Sequence, residues 1–226
     1  AEGIAGAVVV RDGDLVAVLH ERPDAAEAAL RSVKARWQPP ESGPSNADLY
    51  EYLERNAPPV RVVTEAGDLA SGRSAATRTF ESTYRTPYWA HAAMEPHAAL
   101  AKVEGGKVEV WASTQTPFPL QSELSRTLGI PEEDVHVRTP FVGGGFGGKT
   151  ANRQALEAAR LAKASGRPVQ VSWTRREEFF YDTFNPAAII KVASGVDASG
   201  KITFWDYANM HGGDRSSTPA YHLPNH

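Results

Sequence analysis

The chain has 226 residues, 41% of them hydrophobic, which suffices for one large or two small domains with a packed core. Its 24 basic and 27 acidic residues nearly balance, so neither charge nor a basic patch indicates a nucleic-acid partner. It contains no cysteine, which excludes disulfides, thiolate zinc sites and iron–sulfur clusters held by this chain. No stretch has the roughly 18 consecutive apolar residues of a membrane helix, so a membrane-spanning chain is not expected.

The first third of the chain is predicted to hold one hairpin and two helices. Residues 6–20 alternate on both sides of an Asp-Gly turn and predict a hairpin. Apolar spacing predicts helices at 23–35 and 47–55. A proline- and glycine-rich stretch at 38–46 and a run of small and polar residues at 60–75 predict linkers.

The remainder of the chain alternates between short strands and helices. Strands are predicted at 76–84, 98–103, 108–113, 135–138, 169–173, 188–193 and 201–208. Helices are predicted at 120–128, 151–164 and 175–180. Hairpins with interspersed helices predict an α+β fold with mixed sheets.

The most distinctive segment is a glycine-rich loop at residues 143–150, with the sequence Gly-Gly-Gly-Phe-Gly-Gly-Lys-Thr. Its five glycines remove nearly every side chain, so the backbone can take positive φ and lie against a ligand. Consecutive exposed N–H groups form a concave site of partial positive charge. A predicted strand before the loop and a predicted helix after it complete an anion-binding arrangement.

By spacing alone, this loop fits the phosphate-binding motif of nucleotide triphosphatases, G-x-x-x-x-G-K-[ST]. In that interpretation Lys149 binds the β- and γ-phosphates, Thr150 binds magnesium, and Asp206 is the acidic ligand at a strand end. The surrounding hairpins argue against it, because phosphate-loop domains consist of parallel strands joined by helical crossovers.

Five segments follow one another in an order that is more specific than any one motif. They are residues 92–96 (Ala-Ala-Met-Glu-Pro), 110–117 (Val-Trp-Ala-Ser-Thr-Gln-Thr-Pro), 142–149 (Val142 and the glycine loop up to its lysine), 166–169 (Gly-Arg-Pro-Val) and 174–178 (Thr-Arg-Arg-Glu-Glu). Together they resemble the xanthine dehydrogenase and aldehyde oxidase family of molybdenum hydroxylases. Within it, the chain is most similar to the bacterial large subunits of the isoquinoline, nicotinate or aldehyde oxidoreductase type.

The resemblance implies a molybdopterin cofactor, in bacteria usually the cytosine dinucleotide form. It implies oxidation of an aldehyde or N-heteroaromatic small molecule with oxygen derived from water. An iron–sulfur small subunit is the implied partner, joined in some relatives by a flavin or cytochrome subunit. The protein would supply positioning and hydrogen bonds for chemistry that the cofactor carries out.

The matched motifs also imply which residues bind the cofactor. Gln115 is expected to hydrogen-bond an oxo ligand of the molybdenum, because a neutral amide donates N–H without adding charge. The loop backbone is expected to approach the metal end of the cofactor at Gly144, Gly145, Phe146 and Gly147. The alternative for Gln115 is an ordinary polar turn residue. Phe146 can also be a hydrophobic plug that seats the loop in the core, a role compatible with cofactor binding.

Two substrate-binding residues are implied less directly. Thr150 occupies the position of a glutamate in the purine-oxidising branch, so purine oxidation is not expected, and Thr150 can only hydrogen-bond a substrate. Arg175 matches a substrate-orienting arginine, although the adjacent Arg176 loosens the match and a surface arginine is the alternative. The family's base, a glutamate near the C-terminus of the full subunit, has no match here, so no catalytic residue is assigned.

The resemblance further predicts a domain layout. Residues 1–37 would be the tail of an N-terminal hammerhead-like α/β domain, 38–75 a linker with a short helix, and 76–226 the first part of the molybdopterin-binding region. The chain is thus expected to be a fragment that by itself neither turns over substrate nor retains the cofactor. A non-catalytic interaction domain that keeps the fold is the other alternative.

Histidine spacing permits two metal-binding hypotheses. One uses His91, Glu95 and His97, and the other uses His222 and His226 on a helix. Neither has a third matched ligand or an independent indication of a helix, so hydrogen-bonding roles are the favoured explanation.

Overall fold

The structure is a computed structural model that describes residues 3–38, 43–215 and 217–226. The chain forms two compact units, one of Ala1–Gln38 with Ala90–Phe184 and the other of Pro39–Trp89 with Asn185–His226. The predicted linker at 38–46 lies partly outside the described residues.

Helices are interspersed among strands that mostly follow one another directly, as in an α+β fold. The helices are α1 (Pro23–Arg31), α2 (Leu49–Arg55), α3 (Leu69–Ser74), α4 (Pro117–Leu128), α5 (Arg153–Ser165) and α6 (Arg175–Tyr181). The strands are β1 (Val8–Asp12), β2 (Leu15–Leu19), β3 (Arg78–Thr86), β4 (Trp89–Ala90), β5 (Ala98–Glu104), β6 (Lys107–Ala112), β7 (Val135–Arg138), β8 (Val169–Ser172), β9 (Phe184–Asn185), β10 (Ala188–Val196) and β11 (Ile202–Met210). Among the described residues, every helix is too short or too polar to cross a lipid bilayer.

The predicted hairpins are all present. β1 pairs with β2, β5 with β6 and β10 with β11, each antiparallel. Gly105 and Gly106 join β5 to β6, with φ values of 59° and 78°. Two successive residues at positive φ form the two-residue turn whose twist matches that of the flanking strands. The predicted α+β fold with mixed sheets is therefore confirmed.

The first unit is built on a four-stranded sheet in the order β7-β6-β5-β8, in which only β6 and β7 run parallel. Helices α4 and α5 pack against it. Leucines spaced by four residues form the buried stripe of α4, and small alanines form that of α5, which lets α5 lie close to the sheet. The core they share with the strands includes Val108, Val110, Leu120, Leu124, Val135, Ala155, Ala158 and Ala159.

The second unit holds a three-stranded antiparallel sheet in the order β11-β10-β3. Leu49 and Leu53 of α2 are buried against Ala187 and Ile189. The predicted linker at 60–75 is wrong in part, because it contains α3.

Helix α3 begins at a side-chain cap that the composition of the segment concealed. The carboxylate of Asp68 accepts a hydrogen bond from Ser71 N at 2.6 Å, which satisfies a free N–H of the first turn. Small and polar residues give this six-residue helix no apolar stripe from which to predict it. A Cβ on Gly72 would lie 2.8 Å from Phe204 Cβ, so close packing of α3 against β11 requires glycine at this position.

Candidate functional site

The glycine loop lies between β7 and α5, in the predicted order of strand, loop and helix. Residues Gly148–Thr150 form a 3₁₀ turn at the end of the loop, and α5 begins at Arg153, slightly later than predicted. Two of the N–H groups expected to face a ligand are used internally, since Gly148 N donates to Gly145 O and Thr150 N donates to Gly147 O.

Three residues of the loop have positive φ, namely Gly144 at 94°, Phe146 at 55° and Gly147 at 110°. Glycine adopts these angles without steric cost, whereas a phenylalanine rarely does. Phe146 is 76% exposed within the described residues, so it is not buried in the core that they form. The strained backbone of Phe146 instead holds an aromatic ring at the surface of the loop.

Gln115 is fixed to the loop by both its backbone and its side chain. Gln115 N donates to Lys149 O at 2.7 Å, and Gln115 Oε1 accepts from Gly147 N at 3.0 Å. Because a backbone N–H can only donate, the amide oxygen must face Gly147 and the amide nitrogen must face away. Gln115 Nε2 has no hydrogen-bond partner among the described residues, so its two N–H groups are available to a ligand.

Gly145 makes this contact possible. A Cβ at this position would lie 2.5 Å from Gln115 Oε1 and 2.8 Å from Gln115 Cδ, closer than real side chains approach. The structure thus brings the predicted cofactor-binding residues Gln115, Gly145 and Gly147 together and gives a steric reason for the central glycine.

The two ends of the loop meet at the carboxylate of Glu95, which the sequence suggested only as part of the Met-Glu-Pro segment and as a candidate metal ligand. Glu95 Oε2 accepts from Gly143 N at 2.7 Å and from Lys149 Nζ at 2.8 Å. Partial burial raises the pKa of Glu95, but the hydrogen bonds from Lys149 and Gly143 outweigh it and hold this pKa below its ordinary value of 4.5. Glu95 therefore stays ionised beside the loop at neutral pH.

This depressed pKa predicts an acid dependence of stability. A group whose pKa is lower in the folded state stabilises the fold above its unfolded pKa, and that contribution is lost as the pH falls through the folded pKa. The thermal midpoint of the wild type should exceed that of Glu95→Gln at pH 7, and the difference should shrink as the pH falls below about 4.5. Scanning calorimetry of both proteins from pH 7 to pH 3 measures this difference, and a constant gap would contradict the assignment.

Arg175 and Thr150, the two predicted substrate residues, both make internal hydrogen bonds. Arg175 Nη2 donates to Ala93 O at 2.6 Å and to Met94 O at 3.1 Å, while its buried Nη1 has no partner among the described residues. Thr150 Oγ1 donates to Gly147 O at 2.7 Å. Arg175 thus supports the backbone before Glu95, and substrate binding by either residue stays a prediction.

The same geometry disagrees with the phosphate-loop interpretation. The side chain of Lys149 is only 1% exposed, and its ammonium group is bound to Glu95. Strand β7 lies at the edge of a mostly antiparallel sheet, and Asp206 lies on β11 in the other compact unit. A phosphate loop instead follows a strand of a parallel sheet and directs its lysine to the phosphates.

A histidine and an aspartate also contact the loop, and sequence reasoning missed their pairing. His91 Nδ1 lies 3.0 Å from Thr183 O and 3.4 Å from Asp182 Oδ2. A Cβ on Gly147 would lie 3.1 Å from His91 Nε2, and one on Gly148 would lie 2.7 Å from Asp182 Oδ2. Gly147 and Gly148 therefore leave the space that His91 and Asp182 occupy. Sequence spacing could not reveal that His91 and Asp182 meet, because they are 91 residues apart.

The structure supports neither of the two metal-binding hypotheses. In the part of the chain that the structure describes, no three His, Asp or Glu side chains are grouped to hold a metal ion. His91, Glu95 and His97 point to separate partners, and His97 pairs with the buried Glu178 at 3.0 Å. Residues 217–226 contain no helix, so His222 and His226 do not share a helical face.

Comparison with known proteins identifies the class to which this fold and loop belong. Residues 53–221 match the molybdopterin cofactor-binding domain, and the chain belongs to this family. The aldehyde oxidoreductase molybdenum-binding subunit PaoC of Escherichia coli is 35% identical over 204 residues, which make up 89% of this chain and 28% of that protein. A nicotinate dehydrogenase subunit of Pseudomonas putida is 28% identical over 219 residues, or 96% of this chain and 18% of that protein.

Solved structures support the same fold. Quinoline 2-oxidoreductase from Pseudomonas putida 86 matches 85% of this chain and 26% of its own, with a TM-score of 0.69 and 23% identity. The aldehyde oxidoreductase of Desulfovibrio gigas matches 85% of this chain and 22% of its own, with a TM-score of 0.68 and 18% identity. The chain thus spans less than a third of each of these relatives. The resemblance drawn from the sequence motifs is confirmed.

Proposed function

We propose that the chain contributes Gln115 and the glycine loop to the molybdopterin site of a molybdenum hydroxylase large subunit. One observation carries the proposal. Gly147 N–H holds the amide oxygen of Gln115, so that the amide nitrogen is turned away from Gly147 and has no partner among the described residues. An uncharged donor fixed in this way suits an oxygen ligand of a cofactor.

The loop fits such a group through Gln115. The missing Cβ of Gly145 lets the Gln115 side chain pack against the loop, and the positive φ of Gly147 places the N–H that holds its amide oxygen. When bound, molybdenum and its pterin would supply the redox chemistry that hydroxylates an electron-poor carbon. This chain's part would be to hold the cofactor in place, with Gln115 donating N–H and the backbone of Gly144, Gly145, Phe146 and Gly147 lying against it.

The finer assignments extend this proposal. The substrate would be an aldehyde or an N-heteroaromatic molecule, in keeping with the names of the aldehyde oxidoreductase and nicotinate dehydrogenase relatives. Thr150 and Arg175 would line its path, with the base glutamate on a part of the large subunit outside these 226 residues. The cofactor would be the cytosine dinucleotide form, and the partner an iron–sulfur subunit with or without a flavin or cytochrome subunit.

Cofactor analysis of the complete large subunit that contains this chain tests the proposal. Elemental analysis should find stoichiometric molybdenum, and chromatography of the released pterin should find a cytidine nucleotide. The isolated chain should contain neither and should not oxidise aldehydes with a dye acceptor. Absence of molybdenum from the complete subunit would refute the proposal. Saturable Mg-ATP binding that Lys149→Ala abolishes would favour a phosphate loop instead.

A further inference from the structure

We infer that Glu95 and Lys149 form a positioning pair that closes the glycine loop and thereby sets the orientation of Gln115. The effect of this pair on cofactor binding rests on the proposed molybdopterin site. The closure of the loop by the pair does not, since it concerns only residues of this chain.

The pair joins the first and the seventh residue of the loop through one oxygen atom. Glu95 Oε2 accepts from Gly143 N at 2.7 Å and from Lys149 Nζ at 2.8 Å. Glu95 N also donates to Gly143 O at 3.1 Å, which makes the contact with Gly143 reciprocal. A Cβ on Gly143 would lie 2.7 Å from Glu95 Cβ, so this close approach requires glycine.

The closed loop in turn holds Gln115 at two points. Lys149 O accepts from Gln115 N at 2.7 Å, and Gly147 N donates to Gln115 Oε1 at 3.0 Å. Lys149 therefore binds Glu95 through its side chain and Gln115 through its backbone. A shift of Lys149 would move the backbone of Gln115 and release the bond that fixes its amide.

Burial indicates that Lys149 cannot keep this place without Glu95. The lysine side chain is 1% exposed, whereas that of Glu95 is 36% exposed, so the lysine has little solvent to replace its partner. A buried charge without a partner is strongly unfavourable, and the surrounding structure rearranges to reach water. Arg175 also supports this segment, because it donates to the carbonyls of Ala93 and Met94 just before Glu95.

The experiment uses the complete large subunit and two matched controls. Lys149→Met removes the buried ammonium, and Lys149→Arg restores a positive charge. Lys163→Met is the lysine control, since Lys163 Nζ donates to Leu128 O at 2.7 Å on a different part of the unit. Glu95→Gln is compared with Glu109→Gln, because both glutamates are 36% exposed and paired, and Glu109 binds Arg138 at 3.0 Å on the sheet.

Two measurements separate a positioning role from general stability. Amide hydrogen exchange of the peptide spanning 143–150 should rise about tenfold or more in Glu95→Gln, which leaves the buried ammonium without a counter-charge. It should rise by less in Lys149→Met, which removes that charge and leaves a glutamate that solvent can reach. Molybdenum content should fall in the same order, and Lys149→Arg should recover most of both losses. The two control variants should match the wild type in both measurements.

The outcomes distinguish the inference from the function on which it rests. Unchanged loop exchange in both Lys149→Met and Glu95→Gln would overturn the positioning pair, whatever the metal content. Equal exchange increases in the two control variants would also overturn it, since the effect would not be local. A wild-type large subunit without molybdenum would refute the proposed function, while selective loop opening in Glu95→Gln would still support the pair.

Discussion

Replacing Gly145 with alanine is expected to lower the cofactor affinity of the complete large subunit about tenfold or more. The new Cβ would lie 2.5 Å from Gln115 Oε1 and 2.8 Å from Gln115 Cδ, so the amide must move. The displaced amide can no longer donate to the cofactor, and a lost hydrogen bond costs about 1 kcal/mol, or about 1.5–3 kcal/mol where the acceptor is charged. Each 1.4 kcal/mol changes an affinity about tenfold. Moving the amide also breaks the bond from Gly147 N that directs the N–H groups of Gln115 toward a ligand. Molybdenum content after gel filtration measures the loss.

The control for this prediction is Gly106→Ala in the turn between β5 and β6. A Cβ there has no atom within 4 Å, although φ is 78°, so the substitution strains a turn without filling contact space. Gly106→Ala should therefore lose some stability but keep wild-type molybdenum. If Gly145→Ala also kept wild-type molybdenum, the contact between Gly145 and Gln115 would have no part in cofactor retention.

Local patterns were sufficient to predict most of the fold. The hairpin of β5 and β6 follows from alternating valines around a Gly-Gly turn, and α4 follows from leucines spaced by four before a glycine that ends it. Gly129 takes φ 64° at that helix end, as expected of a glycine cap. Helix α3 was missed because a single capping aspartate, with no apolar stripe, marks its start.

The site was predicted only in part, for a reason that Lys149 makes plain. The motif G-x-x-x-x-G-K-[ST] specifies residue types, but it does not specify the direction of the lysine side chain. That direction depends on Glu95, which lies 54 residues earlier in the chain. The five segments that occur in order identified the family correctly. The motif G-x-x-x-x-G-K-[ST] taken alone would have indicated a nucleotide triphosphatase.

The same long-range dependence explains the contacts that were missed. His91 and Asp182 are 91 residues apart, and His97 and Glu178 are 81 residues apart, so no local pattern links them. They meet because β5 pairs with β8, which places the residues before β5 beside those after β8. Sheet topology, which the sequence left open, therefore decides which polar residues surround the loop.

Glu178→Ala should destabilise the first unit by several kcal/mol. Glu178 Oε2 accepts from His97 N at 2.9 Å, and the two carboxylate oxygens lie 3.0 and 3.1 Å from His97 Nδ1. Glu178 and His97 are only 2% and 1% exposed, so no solvent replaces the lost acceptor. Each buried donor left without a partner costs about 1–3 kcal/mol, and this substitution leaves two.

Hydrogen exchange of the complete large subunit locates this loss. Amides of β5 and α6 should exchange faster in Glu178→Ala, because His97 immediately precedes β5 and Glu178 lies on α6. Glu178→Gln keeps one acceptor oxygen and should have a smaller effect. Glu104→Ala, which removes an exposed partner of Lys102 at the hairpin turn, should leave both elements unchanged. Wild-type exchange in Glu178→Ala would mean that the pair of His97 and Glu178 does not hold α6 against the sheet. Other contacts would then have to keep Asp182, which follows α6, beside the loop.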